Sequence, residues 1–149
     1  MKLLIQRAAH GSVSVDGEVL GRIHQGLVIL VGVRSGDGVA DAVALARKTA
    51  MLRIFVDGEG RMNRSVLDIG GEALVISQFT LYADTRKGNR PSFIRAAEPS
   101  LANDLYLAYI AALAEQIGKD RVQTGRFGAD MQVELLNDGP VTIELSSDP

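Results

Sequence analysis

Gly26-Leu27-Val28-Ile29-Leu30-Val31-Gly32-Val33 is the stretch that decides the fold of this chain. A strand with one face in water alternates apolar and polar residues, and this run does not alternate. It predicts a central strand covered on both faces, and therefore a layered molecule. With eight residues, two of them glycine, it is far too short to span a membrane. Toward the N-terminus, Leu3, Ile5, Val13 and Val15 alternate with polar residues. Asp16-Gly17 then marks a tight hairpin into Val19 to Ile23. Toward the C-terminus, Asp37 is placed to cap a helix whose apolar stripe is Val39, Val43, Ala46 and Ala50. A second helix is predicted to start at Pro99, run along Leu101, Leu105, Tyr109 and Leu113, and stop at Gly118. Between the helices lie Leu52 to Val56, the turn Asp57-Gly58-Glu59-Gly60 and the strand Ala73 to Ser77. Beyond them, Met131 to Leu136 and Val141 to Leu145 read as two strands joined by Asn137-Asp138-Gly139-Pro140. The sum is an α/β protein: a strand-rich sheet assembly with two main helices, layered with the helices on one side.

Composition bounds what such a molecule can do. The chain has 149 residues, 16 Lys+Arg against 18 Asp+Glu, a formal net charge of -2 and no Cys. Without Cys there is no disulfide framework, thiolate metal site or Cys nucleophile. Hydrophobic residues make up 46% and charged residues 23%, the balance of a globular protein. At this mass, roughly 7,400 Å² of surface stays exposed on folding, which suits one core and one domain over residues 1–149. The opening Met-Lys-Leu-Leu-Ile meets Gln6 and Arg7 too soon for a signal peptide, so a soluble, cytoplasmic protein is expected. His10 and His24 are the two histidines, without ligand spacing, and Gly58-x-Gly60 precedes no helix. No metal and no cofactor are expected.

Three segments resist a purely structural reading. In Ser77-Gln78-Phe79-Thr80-Leu81 an apolar strand ends in hydroxyl and amide groups, where polar side chains are both rigidly held and open to a carbonyl or ester ligand. Asn137-Asp138-Gly139-Pro140-Val141-Thr142 reads as a turn leading into a strand, and on residues alone its Gly-Pro bond is predicted trans. Thr85 to Arg95 carries Arg86, Lys87, Arg90 and Arg95 in a chain that is net negative, a loop suited to a polyanion.

Read together, these segments resemble the D-aminoacyl-tRNA deacylases. The resemblance rests on Ser-Gln-Phe-Thr-Leu at 77–81, Ala-Asp-Thr-Arg-Lys-Gly at 83–88 and Arg-Pro-Ser-Phe at 90–93. Thr-Gly-Arg-Phe-Gly-Ala-Asp-Met at 124–131, Asn-Asp-Gly-Pro-Val-Thr at 137–142, and the shorter matches Gln6-Arg7, Arg53-Ile54-Phe55 and Met62-Asn63 extend it to nearly the whole chain. Gly11, His24-Gln25 and Arg64 depart from the family's usual residues, outside these motifs.

The resemblance implies a layered β/β/α homodimer with shared active sites that hold the aminoacylated 3′ end of tRNA. It implies hydrolysis of the ester of D-aminoacyl-tRNA, and of glycine mischarged on tRNA-Ala, releasing free tRNA and the amino acid. L-aminoacyl-tRNA would be rejected by a cross-subunit Gly-cisPro motif, here Gly139 and Pro140, supported by Arg7. Ser77, Gln78, Phe79 and Thr80 would line the pocket, with Phe127 and Met131 near it. Thr80 is either a nucleophile or a positioning group; with no histidine in a matching motif, it is a weak nucleophile. The alternative uses the substrate's ribose 2′-hydroxyl and backbone N–H groups at Phe79 and Thr80 as oxyanion donors. Arg86, Lys87 and Arg90 are candidates for contacting tRNA phosphates.

Overall fold

The computed structural model describes residues 1–147. Its elements in order are β1 (Lys2–Val15), β2 (Glu18–Ile23), β3 (Gly26–Gly32), α1 (Val39–Met51), β4 (Phe55–Val56) and β5 (Met62–Arg64). They continue with β6 (Glu72–Ser77), a 3₁₀ turn (Phe79–Tyr82), α2 (Pro99–Ile117), a 3₁₀ turn (Lys119–Arg121), β7 (Val122–Thr124) and β8 (Gln132–Ser146). The main sheet has the order β2-β1-β3-β6-β7, with β8 paired to β1. β1 is long enough to serve two partners on one edge: Lys2 to Ala8 pairs with β3, and Gly11 to Val15 with β2. β8 follows its other edge. β6 runs parallel to both β3 and β7.

β3 is the covered strand that its sequence predicts. Leu27, Ile29 and Val31 enter a core shared with α1 and α2, alongside Leu3, Ile5, Val75, Leu105 and Tyr109. Val28 enters a second core with Ala8, Val13, Ile23, Leu74 and Ile76, where the sheet curls over itself. Gly21 of β2 lies close enough to β7 that a Cβ there would sit 3.0 Å from the Thr124 carbonyl oxygen. Two sheet layers and a helical layer result, the α/β architecture expected. Asp16 and Gly17 both take positive φ, 50° and 81°, as the tight hairpin requires.

Several local expectations change. Asp37 does not cap α1. Gly38 is the N-cap, while Asp37 pairs with the buried Met1 amine and accepts from the Arg34 N–H at 2.8 Å. Val39 is 59% exposed, so the buried stripe of α1 is Ala42, Leu45, Ala46, Thr49 and Ala50. α2 begins at Pro99 and meets Gly118 as expected, although Leu101 faces outward. The two C-terminal strands are one strand, β8, because β1 runs past both halves and pairs with each. Residues 138–141 loop out between Asn137, opposite Ala8, and Thr142, opposite Gln6. The short strand β7 was not foreseen; three half-buried residues leave too little pattern to read.

Candidate active site

The parallel strands β3 and β6 end side by side, and ligands of α/β sheets bind at such carboxyl ends. The Gln78 N–H donates to the Val31 carbonyl at 2.7 Å, after which the chain turns into the 3₁₀ segment. That turn, the start of α2 and the segment before β8 enclose a cavity of about 530 Å³. Ser77, Gln78, Phe79, Phe127 and Met131 line it, together with Tyr106. Small residues make the room: Ala96, Ala97, Ala102, Gly128 and Ala129 also face it.

Tyr106 is the wall residue that sequence reading missed. It lies one position past Leu105 of the apolar stripe and reads there as ordinary core. Its hydroxyl donates to the Val75 carbonyl at 2.8 Å, and burial pushes that hydroxyl up to about 12. The phenol thus stays a neutral donor, and its ring meets Phe127 at 6.0 Å between centroids.

Thr80 stands apart from the cavity wall. It is exposed on the 3₁₀ turn, and its hydroxyl oxygen accepts a hydrogen bond from the Gln78 amide. No described histidine shares this neighbourhood: His10 lies on β1 opposite Leu136, and the His24 N–H donates to Glu72. Among the described residues no three His, Asp or Glu side chains gather where they could hold a metal ion.

Gly139 and Pro140 lie elsewhere. They cap the looped-out part of β8, both exposed, and do not line the cavity of their own chain. Their peptide bond is cis, where the residues alone suggested trans and the resemblance implied cis. Asn137 closes the loop from within: its Oδ1 accepts from the Val141 N–H at 2.8 Å, and its Nδ2 donates to the Val141 carbonyl and the Thr142 hydroxyl. Arg7, only 7% exposed, holds the loop from below. Its Nε donates to the Asp138 carbonyl at 2.7 Å and its Nη1 to the Ile54 carbonyl at 2.6 Å.

The basic loop lies beside the cavity mouth. Asp84 and Ser92 exchange backbone hydrogen bonds of 2.7 and 2.9 Å across its base. Arg86 grips Asp84 with Nε and Nη2, which holds the carboxyl well below the usual carboxylate range. Among the described residues Lys87 and Arg90 make no ion pair.

The chain matches the family described as D-Tyr-tRNA(Tyr) deacylase over residues 4–146. The D-aminoacyl-tRNA deacylase of Ruegeria pomeroyi is 61% identical over 143 residues, covering 96% of this chain and 97% of that protein. The D-aminoacyl-tRNA deacylase of Syntrophotalea carbinolica is 57% identical over 147 residues, covering 99% and 97%. A solved structure described as c-Myc DNA Unwinding Element Binding Protein has a TM-score of 0.95 at 38% identity, with 100% of both chains covered. One of a probable eukaryotic D-amino acid tRNA deacylase has a TM-score of 0.84 over 97% of each chain and, at 16% identity, shares the fold. With nearly its whole length matched at this identity, the chain belongs to the D-aminoacyl-tRNA deacylases, hydrolases that act on aminoacyl-tRNA.

Proposed function

We propose that the cavity between the 3₁₀ turn and α2 takes the terminal adenosine and aminoacyl group of tRNA charged with a D-amino acid, or of tRNA-Ala mischarged with glycine. Water attacks the ester carbonyl carbon, the bond to the ribose oxygen breaks, and that oxygen leaves with a proton. The first N–H groups of a helical turn have no partner inside it. On this reading those at Phe79 and Thr80 receive the oxyanion, while the substrate's 2′-hydroxyl orients the water. Thr80, with no base beside it, positions the substrate.

The observation that carries the reading is the separation of the site's two halves. Neither Gly139 nor Pro140 lines the cavity of its own chain; on this reading the loop serves the cavity of a second copy. Brought across, the loop's backbone carbonyls, fixed by Arg7 and Asn137, occupy the volume an L side chain needs. Building a clash against the wrong substrate is one of the two ways a site gains specificity. Glycine has nothing to obstruct and passes. On this reading residues 1–149 form one deacylase domain that works in the cytoplasm on charged tRNA.

Hydrolysis rates of D- and L-aminoacyl esters on one tRNA test the activity; equal rates refute the chiral selection. The shared site is tested by mixing two impaired variants. Ala102→Phe puts a ring into the cavity, and Gly139→Ala disturbs the loop. Subunits refolded together are expected to show more activity, and a sharper D-over-L ratio, than either variant alone. No recovery, with mixed dimers present, refutes the crossing of the loop.

A further inference from the structure

Next to the cavity the structure exposes apolar surface that neither core uses. Phe79, on the cavity wall, is 57% exposed; Phe93 is 37% exposed and Ile94 86%. The two rings meet edge to face with centroids 4.9 Å apart, so the apolar surface continues outward from the cavity mouth. Water-facing apolar groups that form a contiguous patch mark a binding surface more often than isolated ones do. The backbone that carries this patch is hydrogen-bonded on both sides. On one side Ser92 is locked to Asp84 by the paired backbone bonds. On the other, the Ala96 N–H donates to the Phe93 carbonyl at 2.9 Å, and the Ser35 N–H to the Arg95 carbonyl at 3.3 Å. Cations surround it: Lys87, Arg90 and Arg95 are all exposed, on a chain whose net charge is -2.

Exposed aromatic rings beside a track of positive charge are how proteins hold unpaired nucleic acid: bases stack on the rings while cations follow the phosphates. Resting on the reading of the cavity as the seat of the terminal adenosine, we propose that Phe93 and Ile94 form a stacking platform for the unpaired base immediately 5′ of that adenosine. The occupant is single-stranded 3′-terminal RNA. Stacking accepts any base, so the platform adds affinity for the 3′ end without reading its sequence. Its hydrogen-bonded backbone leaves less to be ordered on binding.

The test compares three substrates: D-aminoacyl-tRNA, D-aminoacyl-adenosine, and D-aminoacyl-tRNA with an abasic penultimate nucleotide. Phe93→Ala is expected to lower kcat/KM on the intact tRNA about tenfold or more, the scale of a lost base stack. On D-aminoacyl-adenosine it is expected to change kcat/KM by less than about twofold. The abasic tRNA should cost the wild type as much as Phe93→Ala does, and cost the variant almost nothing further. Ile94→Ser, at a largely exposed position, should show the same pattern more weakly without disturbing the fold. Phe93→Leu keeps apolar volume but lacks an aromatic face, and should not restore the rate. Equal losses on tRNA and on D-aminoacyl-adenosine, additive losses with the abasic tRNA, full rescue by leucine, or a loss traced to dissociation of the dimer would each overturn the platform. Failure of the wild type to hydrolyse either D-ester would instead overturn the deacylase reading on which the platform rests.

Discussion

Arg7 has its guanidinium in a nearly closed space and uses it on two carbonyls, Asp138 and Ile54, 131 and 47 residues away in sequence. Hydrogen bonds from a charged group contribute about 1.5–3 kcal/mol each, and losing the donor leaves both carbonyls short of a partner. Arg7→Met is expected to lower unfolding stability by roughly 3 kcal/mol in urea titrations. Arg7→Lys should recover little, because a compact ammonium cannot reach two carbonyls in a fixed fork. An unchanged midpoint for Arg7→Met would mean that this pair of bonds does little. Thr80 is the opposite case, an exposed hydroxyl whose visible partner is the Gln78 amide. Thr80→Ala is expected to retain hydrolysis within about tenfold, while a 2′-deoxy terminal ribose loses roughly a hundredfold or more. If the order of those two losses is reversed, Thr80 is the nucleophile after all.

Among the elements, the looped-out centre of β8 is the most demanding. Gly139 sits at φ +147°, and a Cβ there would lie 2.8 Å from the Val141 side chain, 2.9 Å from the Val141 nitrogen and 3.1 Å from Nη2 of Arg7. Val141 N and Arg7 are themselves fixed, so the loop must shift. A misplacement of about 1 Å in a reacting site can cost roughly a hundredfold in rate. Gly139→Ala is therefore expected to reduce kcat strongly and to narrow the D-over-L ratio, with a smaller effect on stability. A variant with full rate and full discrimination would remove the loop from the site. The basic loop makes a different claim, on binding. Arg86 is already committed to Asp84, so Lys87→Ala with Arg90→Ala is the cleaner change. It should raise KM for tRNA, leave kcat nearly intact and reduce the slope of log affinity against log salt by about one per charge. An unchanged slope would make this a plain solvated loop.

For the whole molecule, two buried phenols tie the helical layer to the sheet and to itself. Tyr106 on α2 donates to Val75 of β6, and Tyr109 donates to Thr49 of α1 at 3.0 Å. Burial raises both hydroxyls above an unfolded value of about 10, Tyr106 to about 12. A raised folded value favours the protonated phenol, so this contribution is complete below pH ~10 and is lost as pH climbs from there through about 12. The wild type is expected to lose thermal stability over that interval, and Tyr106→Phe to lose it less steeply; parallel curves would refute the assignment. Local chemistry was legible in the sequence. The covered strand at 26–32, the Asp16-Gly17 hairpin, the start of α2 at Pro99 and the polar end of β6 at Ser77 all follow from periodicity, backbone preference or capping within a few residues. So did the segments that resemble the family, since those are matters of residue identity alone. Pairing between distant segments was not legible. That β1 runs unbroken for 14 residues, that it merges two predicted strands into β8, and that Asp37 meets the Met1 amine instead of capping α1 are set by partners far along the chain. The site divides the same way. Ser77, Gln78 and Phe79 could be named from their strand end, but Tyr106 and the alanines that hollow out the cavity look like core until α2 is laid across β6. That Gly139 and Pro140 stand outside the cavity of their own chain, on which the case for a shared site depends, goes with the register of β8 on β1, and only the folded chain fixes that register.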